Sequence, residues 1–115
     1  MTKGDGAAKA VEAKGLRIPV VGLGTWQPHG RECARLVEQA IRIGYRHIDT
    51  AQMYDNEREV GEGVRASGKR DELVVATKIP PTLLALRDVE RSVKESIVHL
   101  RVDHIDMVLI HWPNP

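Results

Sequence analysis

Four polar residues follow successive apolar segments of the sequence, and their side chains could together move a proton. Asp49 ends the half-apolar segment 45–49, and Tyr54 follows it in the next loop. Lys78 follows a β-branched apolar run, and His111 follows another. The carboxyl ends of parallel strands meet at one edge of a sheet, and that edge carries the chemistry of α/β proteins. We therefore expect the four side chains to share one site.

Each of these residues taken alone also has a structural explanation. An aspartate often caps a helix or a turn, and a loop tyrosine often packs against its neighbours. A lysine at a strand end is usually solvated, and a histidine there is more often a satisfied core residue. Their occurrence together at successive strand ends is what favours a site.

The chemistry of such a set follows from its charges. A phenol is a weak proton donor at neutral pH, and a neighbouring cation makes it a stronger one by stabilising the phenolate. Lys78 could be that cation, provided that a carboxylate such as Asp49 keeps it charged. His111 could hydrogen-bond a substrate carbonyl and orient it. The set suits protonation of an alkoxide, and since no side chain supplies hydride, a redox cofactor is required.

The apolar pattern predicts alternating strands and helices that would hold these residues. A Lys-Gly turn within residues 10–18 predicts a hairpin, and the compact apolar run 20–23 predicts a buried first strand. The remaining predicted elements are helices at 31–43, 56–67 and 86–100 and strands at 45–49, 73–76 and 105–110. This order, a hairpin followed by β-α-β-α-β-α-β, is typical of a parallel α/β fold.

Single residues refine these predictions. Asn56 is expected to cap the second helix, with Glu59 three residues on as a variant capping box. Cys33 lies on the apolar face of the first helix and is interpreted as a small buried hydrophobe. In the third helix the apolar face is expected to comprise Val89, Val93, Ile97 and Leu100. The run Gly-Leu-Gly at 22–24 is not a dinucleotide-binding fingerprint, because position 27 is Gln27 rather than glycine.

The bulk composition indicates one globular unit. The chain has 115 residues, is 42% hydrophobic and carries a formal net charge of +1, so we expect one domain over 1–115 with a flexible tail at 1–9. No basic block or long apolar run indicates a nucleic-acid or membrane partner. The single cysteine excludes an internal disulfide and favours a cytoplasmic location. Three of the four aromatic residues fall in candidate loops, which suggests a pocket wall: Trp26, Tyr54 and Trp112.

Four motifs resemble those of a known family. The segments GLGTW at 22–26, GYRHIDTAQMYDNEREVG at 44–61, ATKIPP at 76–81 and LIHWP at 109–113 closely resemble the aldo-keto reductases, in order and with matching spacing. The resemblance runs from about residue 10 to the last residue. It implies an α/β fold of the (β/α)8 TIM-barrel type, of which this chain holds the N-terminal hairpin and the first four strands. The implied reaction is NADPH-dependent reduction of aldehydes or ketones to alcohols.

The resemblance also implies a role for each matching residue. Tyr54 corresponds to the general acid, Lys78 to the cation that assists its proton loss, Asp49 to the partner of that lysine, and His111 to the group that orients the carbonyl. Thr25 and Asp49 match positions near the nicotinamide ribose of the NADPH cofactor. The residues expected to line the pocket for a small carbonyl substrate are Trp26, Tyr54, His111 and Trp112.

Length leaves alternatives open. Barrels of this type take about 250 residues, so the chain is expected to be a fragment of a longer enzyme that supplies most of the cofactor cradle. Alternatively, it is an inactive half barrel that self-associates through exposed sheet edges as an assembly or binding module. A weaker third hypothesis is a metal hydrolase using His47, Asp49 and His111, whereas the favoured reading involves no metal. The substrate and the choice between NADPH and NADH stay open.

Overall fold

The computed structural model describes residues 9–113, and its first element is a two-stranded hairpin. Strand β1 (Ala10–Ala13) pairs antiparallel with β2 (Leu16–Pro19), as the sequence predicted. Lys14 and Gly15 form the two-residue turn, and both have positive φ (49° and 81°), which matches the twist of a hairpin. The predicted tail over 1–9 falls mostly on residues 1–8, outside the described part, while Lys9 already accepts a backbone hydrogen bond from Val20.

The rest of the chain forms one parallel sheet with connecting helices. Its strands lie in chain order: β3 (Leu23–Gly24), β4 (His47–Asp49), β5 (Val74–Ile79) and β6 (Met107–Ile110). The helices are α1 (Gly30–Arg42), α2 (Glu57–Ser67) and α3 (Leu86–Leu100). Short 3₁₀ turns occupy Gln52–Tyr54, Arg70–Glu72 and Pro81–Leu83. The predicted β-α-β-α-β-α-β order is confirmed. Between residues 9 and 113 no helix is long and apolar enough to cross a membrane.

The first strand was predicted wrongly. Val20 and Val21 are 55% and 65% exposed, and only Leu23 and Gly24 pair with β4. The backbone N–H of Val20 bonds to Lys9 beside the hairpin, so these valines connect the hairpin to the sheet and lie outside the ladder. An apolar run predicts burial only where a second layer covers it; Leu23 packs against the core, but none of the described residues covers Val20 and Val21.

The other strand boundaries shift for identifiable reasons. Strand β4 begins at His47 rather than at Tyr45, because the Tyr45 N–H donates to the Ala40 carbonyl at the end of α1 and is not available to the sheet. Strand β5 continues past residue 76, so Lys78 lies inside the strand and pairs with Leu109 of β6. Strand β6 begins two residues later than predicted, because the Asp106 carboxylate accepts the hydrogen bond from the Val75 backbone N–H that a strand carbonyl would otherwise accept.

A small apolar core lies between the sheet and the helices. Its members come from all three helices and from the two central strands and their approaches: Cys33, Val37, Ile41, Ile48, Val60, Val64, Leu73, Val75 and Leu100. The prediction that Cys33 is a buried hydrophobe is confirmed. Burial raises the pKa of the Cys33 thiol to about 11, and the charge of Glu59 adds to the effect.

Helix α3 turns a partly polar face inward, unlike the expected apolar one. Ser92, Ser96 and Leu100 are its buried residues, whereas the predicted Val89, Val93 and Ile97 are only half-buried. The two serines face a glutamine side chain from the turn Gln52–Tyr54, so a hydrogen bond takes the place of apolar packing there.

Two glycines of α2 allow the helices to approach closely. At Gly63 a Cβ atom would lie 2.5 Å from the Ala34 carbonyl oxygen of α1, and at Gly61 it would collide with the backbone carbonyl of Leu100. The same Leu100 carbonyl accepts a hydrogen bond from Arg65 of α2. Helix α2 is therefore held against both neighbours at backbone distance.

We expect Gly61→Ala to destabilise the protein by about 1–3 kcal/mol, because the new methyl group must push the end of α3 away. Urea unfolding followed by circular dichroism measures this loss. The control is Glu62→Ala on the exposed face of the same helix, which should change stability by less than about 0.5 kcal/mol. A Gly61→Ala protein as stable as the control would show that α3 does not pack rigidly here.

Candidate active site

The parallel sheet brings the four predicted residues to one edge. Asp49 is the last residue of β4, and Lys78 lies near the end of β5, beside it in the sheet. His111 follows β6, with its backbone N–H bonded to the Ile79 carbonyl at 3.0 Å. Tyr54 ends the 3₁₀ turn after β4. The expectation that strand order would gather these side chains is met by the geometry.

The Lys78 ammonium is the centre of the cluster. Its Nζ donates to Asp49 Oδ2 at 2.7 Å, to the Thr50 carbonyl at 3.0 Å and to Tyr54 Oη at 3.4 Å. An ammonium has three donors, and all three are engaged here. The side chain is only 15% exposed, so the Asp49 carboxylate is the charge that offsets its desolvation.

Tyr54 and His111 lie together at the open side of this cluster. Their rings meet edge to face with centroids 5.6 Å apart, and the Tyr54 ring lies 5.0 Å from Lys78 Nζ. The Tyr54 oxygen accepts from Lys78, which leaves its O–H free to donate outward. The His111 ring stacks on Trp112 at 5.9 Å, and its Nδ1 is buried without a hydrogen-bond partner in the described part of the chain.

The expected pocket and cofactor residues lie in different environments. Trp26 and Trp112 are 67% and 61% exposed, so both present most of their indole surface outward. The Thr25 side chain is fully buried, and its hydroxyl donates to the Asp49 carbonyl at 3.0 Å. The Thr25 N–H bonds to the same carbonyl. Thr25 therefore holds the backbone of Asp49, and its role toward a cofactor stays a prediction.

Asn56 precedes α2 as predicted, but the capping-box mechanism was wrong. The Asn56 side chain makes no hydrogen bond to the N–H groups of the helix. Its amide donates to the Thr25 carbonyl at 2.6 Å and to the Pro28 carbonyl at 2.9 Å, and its oxygen accepts from the Thr50 hydroxyl at 3.2 Å. The Asn56 side chain, which is 1% exposed, therefore hydrogen-bonds to the loop after β3 and to Thr50 after β4 instead of to the N–H groups of α2.

Two further side chains that sequence reasoning did not single out support the site. Gln52 donates from Nε2 to the Ser92 carbonyl at 2.7 Å and to the Ser96 hydroxyl at 2.8 Å. Glu57 is buried, accepts from the Thr77 hydroxyl at 2.6 Å and lies 3.0 Å from His99 Nδ1. The one sequence signal for Gln52 and Glu57 is that both lie within three residues of Tyr54, and this position does not reveal their distant partners.

The donor and acceptor set fits a nicotinamide cofactor at one point. Asp49 uses Oδ2 for Lys78, while its Oδ1 has no hydrogen-bond partner among residues 9–113 and could accept from a ribose hydroxyl. The Thr25 hydroxyl donates to the Asp49 carbonyl and is fully buried, so a direct contact between Thr25 and a cofactor stays a prediction.

A metal site of the kind considered for a hydrolase does not assemble in this part of the chain. No group of three His, Cys, Asp or Glu side chains between residues 9 and 113 is placed to hold a metal ion. His47 instead lies with Nδ1 3.1 Å from the Pro19 carbonyl, next to Gly22.

The hairpin, the four-stranded parallel sheet and its helices are consistent with part of a (β/α)8 barrel, and the polar residues lie at one edge of this sheet. Residues 20–115 match the sequence model of the Aldo/keto reductase family. The structure is similar to that of an aldo/keto reductase from Brucella melitensis, with a TM-score of 0.89, 35% identity and coverage of 95% of this chain and 42% of that one. The chain therefore belongs to the aldo/keto reductase family.

Curated relatives agree with this assignment. The chain is 46% identical over 101 residues to methylglyoxal reductase DkgB of Yersinia pestis, covering 87% of this chain and 38% of that protein. It is 38% identical over 105 residues to aldo-keto reductase family 1 member A1 of Rattus norvegicus, covering 86% of this chain and 32% of the relative. The chain thus spans well under half the length of these relatives.

We expect the Lys78–Asp49 pair to contribute a coupling free energy of about 2 kcal/mol, because both partners are largely desolvated. A double-mutant cycle with Asp49→Asn and Lys78→Met, followed by urea unfolding, measures it. The matched control is the Arg42–Glu38 pair, which is nearly as short at 2.9 Å against 2.7 Å but has a 72% exposed arginine. Its cycle, with Glu38→Gln and Arg42→Met, should yield less than about 0.5 kcal/mol. Equal couplings would contradict the importance of burial at the site.

Proposed function

We propose that the protein carrying this sequence reduces aldehydes or ketones to alcohols with NADPH. The observation that carries the proposal is the hydrogen bond from Lys78 Nζ to Tyr54 Oη at 3.4 Å, with Lys78 paired to Asp49. A phenol that accepts from an ammonium keeps its own proton available for donation, and the phenolate that remains is stabilised by the cation.

In this mechanism each residue of the cluster has a distinct task. A nicotinamide cofactor, when bound at this edge of the sheet, would supply the hydride. Tyr54 donates its proton to the carbonyl oxygen of the substrate as negative charge develops there, and Lys78 stabilises the phenolate left behind. Asp49 keeps Lys78 charged and directed at the phenol. His111 donates a hydrogen bond from its ring to the same carbonyl and thereby orients it.

The rest of the site binds cofactor and substrate. The second carboxylate oxygen of Asp49 would hold a ribose hydroxyl of the cofactor, and Thr25 keeps the backbone of Asp49 in place. Trp26 and Trp112 would flank the substrate with their exposed indoles. The similarity to the methylglyoxal reductases supports small aldehydes with an adjacent carbonyl as the first substrates to assay.

We also propose that residues 1–115 belong to one barrel domain, of which this chain is a part, in a longer enzyme that supplies most of the cofactor cradle. The coverage of 38% of the DkgB length supports this proposal. A cytoplasmic location is proposed because the single cysteine, Cys33, is buried and forms no disulfide.

We expect Tyr54→Phe to lower kcat for reduction of methylglyoxal by at least about 100-fold, because the general acid is removed. Oxidation of NADPH followed by its absorbance measures the rate. Saturable quenching of tryptophan fluorescence by NADPH checks that cofactor binding persists in the variant.

Tyr45→Phe is the matched control, because Tyr45 and Tyr54 are the only two tyrosines of the chain. Tyr45 lies between α1 and β4, outside the cluster, so its substitution should leave kcat nearly unchanged. A Tyr54→Phe protein with the same kcat as the control would refute the assignment of Tyr54 as general acid.

A second candidate function, an assembly module, is favoured by the exposed strand β6. Val108, Leu109 and Ile110 are 38%, 41% and 60% exposed, and β6 forms one edge of the described sheet while β3 forms the other. A closed barrel of this type needs eight parallel strands, and two copies of a four-stranded sheet supply that number. A two-fold axis would pair β6 of each copy with β3 of the other.

If the 115-residue chain self-associates in this way, light scattering should yield about twice the mass of one chain, and Ile110→Lys should reduce it to one, because an edge lysine opposes strand pairing. Val98→Lys is the control, since Val98 is 63% exposed but lies on α3. A wild-type chain that is monomeric at all concentrations would rule out this second function.

A further inference from the structure

Tyr54 lies on a turn that has little internal support. The 3₁₀ turn Gln52–Tyr54 contains single-turn hydrogen bonds only, from the Tyr54 N–H to Ala51 and from the Asp55 N–H to Gln52, both 3.1 Å long. Asp55 then has a left-handed conformation with φ of 56°. One turn of this kind is too short to be rigid by itself. The position of the Tyr54 ring must therefore depend on contacts that the flanking residues make.

Gln52 connects one side of this turn to helix α3. Its Nε2 uses both hydrogens, one for the Ser92 carbonyl and one for the Ser96 hydroxyl, at 2.7 and 2.8 Å. Both serines are buried, at 2% and 1% exposure, so water does not compete for them. The two hydrogen bonds join residues 40 and 44 positions apart, and they prevent the turn from lifting away from α3.

Asn56 connects the other side of the turn to the strand ends. Its amide group donates to the Thr25 and Pro28 carbonyls, so it joins the loop after β3 to the chain just past the turn. Its oxygen accepts from the Thr50 hydroxyl, and the Thr50 carbonyl in turn accepts from Lys78 Nζ. An amide is required here, because only a side chain with both donors and an acceptor serves two carbonyls and a hydroxyl.

We propose that Gln52 and Asn56 are positioning residues that together hold the Tyr54 hydroxyl beside Lys78 and His111. The inference deepens the proposed function and rests on it. The Lys78–Tyr54 contact is already long at 3.4 Å, so a small displacement of the turn would break it. Reaction rates respond steeply to such shifts, and a displacement of about 1 Å can cost about 100-fold.

A purely structural role for these two residues makes a different prediction. If Gln52 and Asn56 only stabilise the fold, their loss should act like any equally destabilising substitution in the core. Val37→Ala is such a control, because Val37 is fully buried in α1 and belongs to the apolar core rather than to the turn. A readout of the Tyr54 ring position separates the two roles.

The test compares Gln52→Met, Asn56→Ser and Val37→Ala by nuclear magnetic resonance. Methionine keeps the length of glutamine without a donor, and serine keeps a residue that suits the start of α2. These spectra are taken on the 115-residue chain, in which the Tyr45→Phe background leaves Tyr54 as the one tyrosine, so its ring signals are unambiguous. The measured quantity is the nuclear Overhauser effect between the Tyr54 and His111 rings, which meet edge to face.

We expect this effect to weaken by about threefold or more in Gln52→Met and in Asn56→Ser, and to persist in Val37→Ala even when all three are equally destabilised to urea. An undiminished effect in Gln52→Met, or an equal loss in Val37→Ala, overturns the proposal. Should Asn56→Ser fail to fold, Gln52→Met alone decides, since Gln52 is only half-buried.

Kinetics of the full-length protein provide the second readout. Gln52→Met should lower kcat by about tenfold or more with KM little changed, because the proton donor is displaced while substrate binding is retained. An unchanged kcat in Gln52→Met contradicts the positioning role. The Tyr54→Phe measurement separates the two claims: if that variant retains full activity, the proposed function fails, whereas the ring contact still reports whether Gln52 and Asn56 position Tyr54.

Discussion

The requirement to satisfy a largely buried lysine ammonium organises this structure. Lys78 lies in β5 with its side chain 15% exposed, and an uncompensated charge there would be strongly unfavourable. The parallel register pairs Asp49 with Ala76, so that Lys78 lies two residues further along the same face and reaches back to the Asp49 carboxylate. The strand ends, the turn that carries Tyr54 and the position of His111 are arranged around this pair.

A polar shell surrounds the pair, and the buried apolar core lies on the other side of the sheet. Thr25 and Asn56 donate hydrogen bonds to backbone carbonyls at the strand ends. Glu57 accepts a hydrogen bond from the hydroxyl of Thr77, which precedes the lysine. Behind the sheet, α1 and α2 approach to backbone distance because Gly63 has no side chain. Rigid packing there limits the freedom of the loops in front, which is the condition for a site that must hold a proton donor within a fraction of an ångström.

Local pattern predicted most elements, and the errors have a common cause. Helix α3 was predicted with its observed bounds, because the periodic spacing of apolar residues within one helix is enough to locate its ends. The run at residues 20–23 was predicted as a buried strand, but Val20 lies outside the sheet. Asn56 was expected to cap α2, yet its amide binds carbonyls of the loop after β3. In each case the tertiary surroundings overrode the local preference: no layer covers Val20, and carbonyls about 30 positions away bind the Asn56 amide.

The sequence by itself determined the chemical types at the strand ends and the family to which they belong. Strand order alone then implied that Asp49, Tyr54, Lys78 and His111 would meet, because parallel strands share one carboxyl edge. Only the tertiary structure decided that all three hydrogens of Lys78 are used, and that Gln52 and Asn56 fasten the tyrosine turn to α3 and to the loop after β3. These contacts join residues 24 to 44 positions apart, and the spacing of neighbouring residues carries no information about such partners.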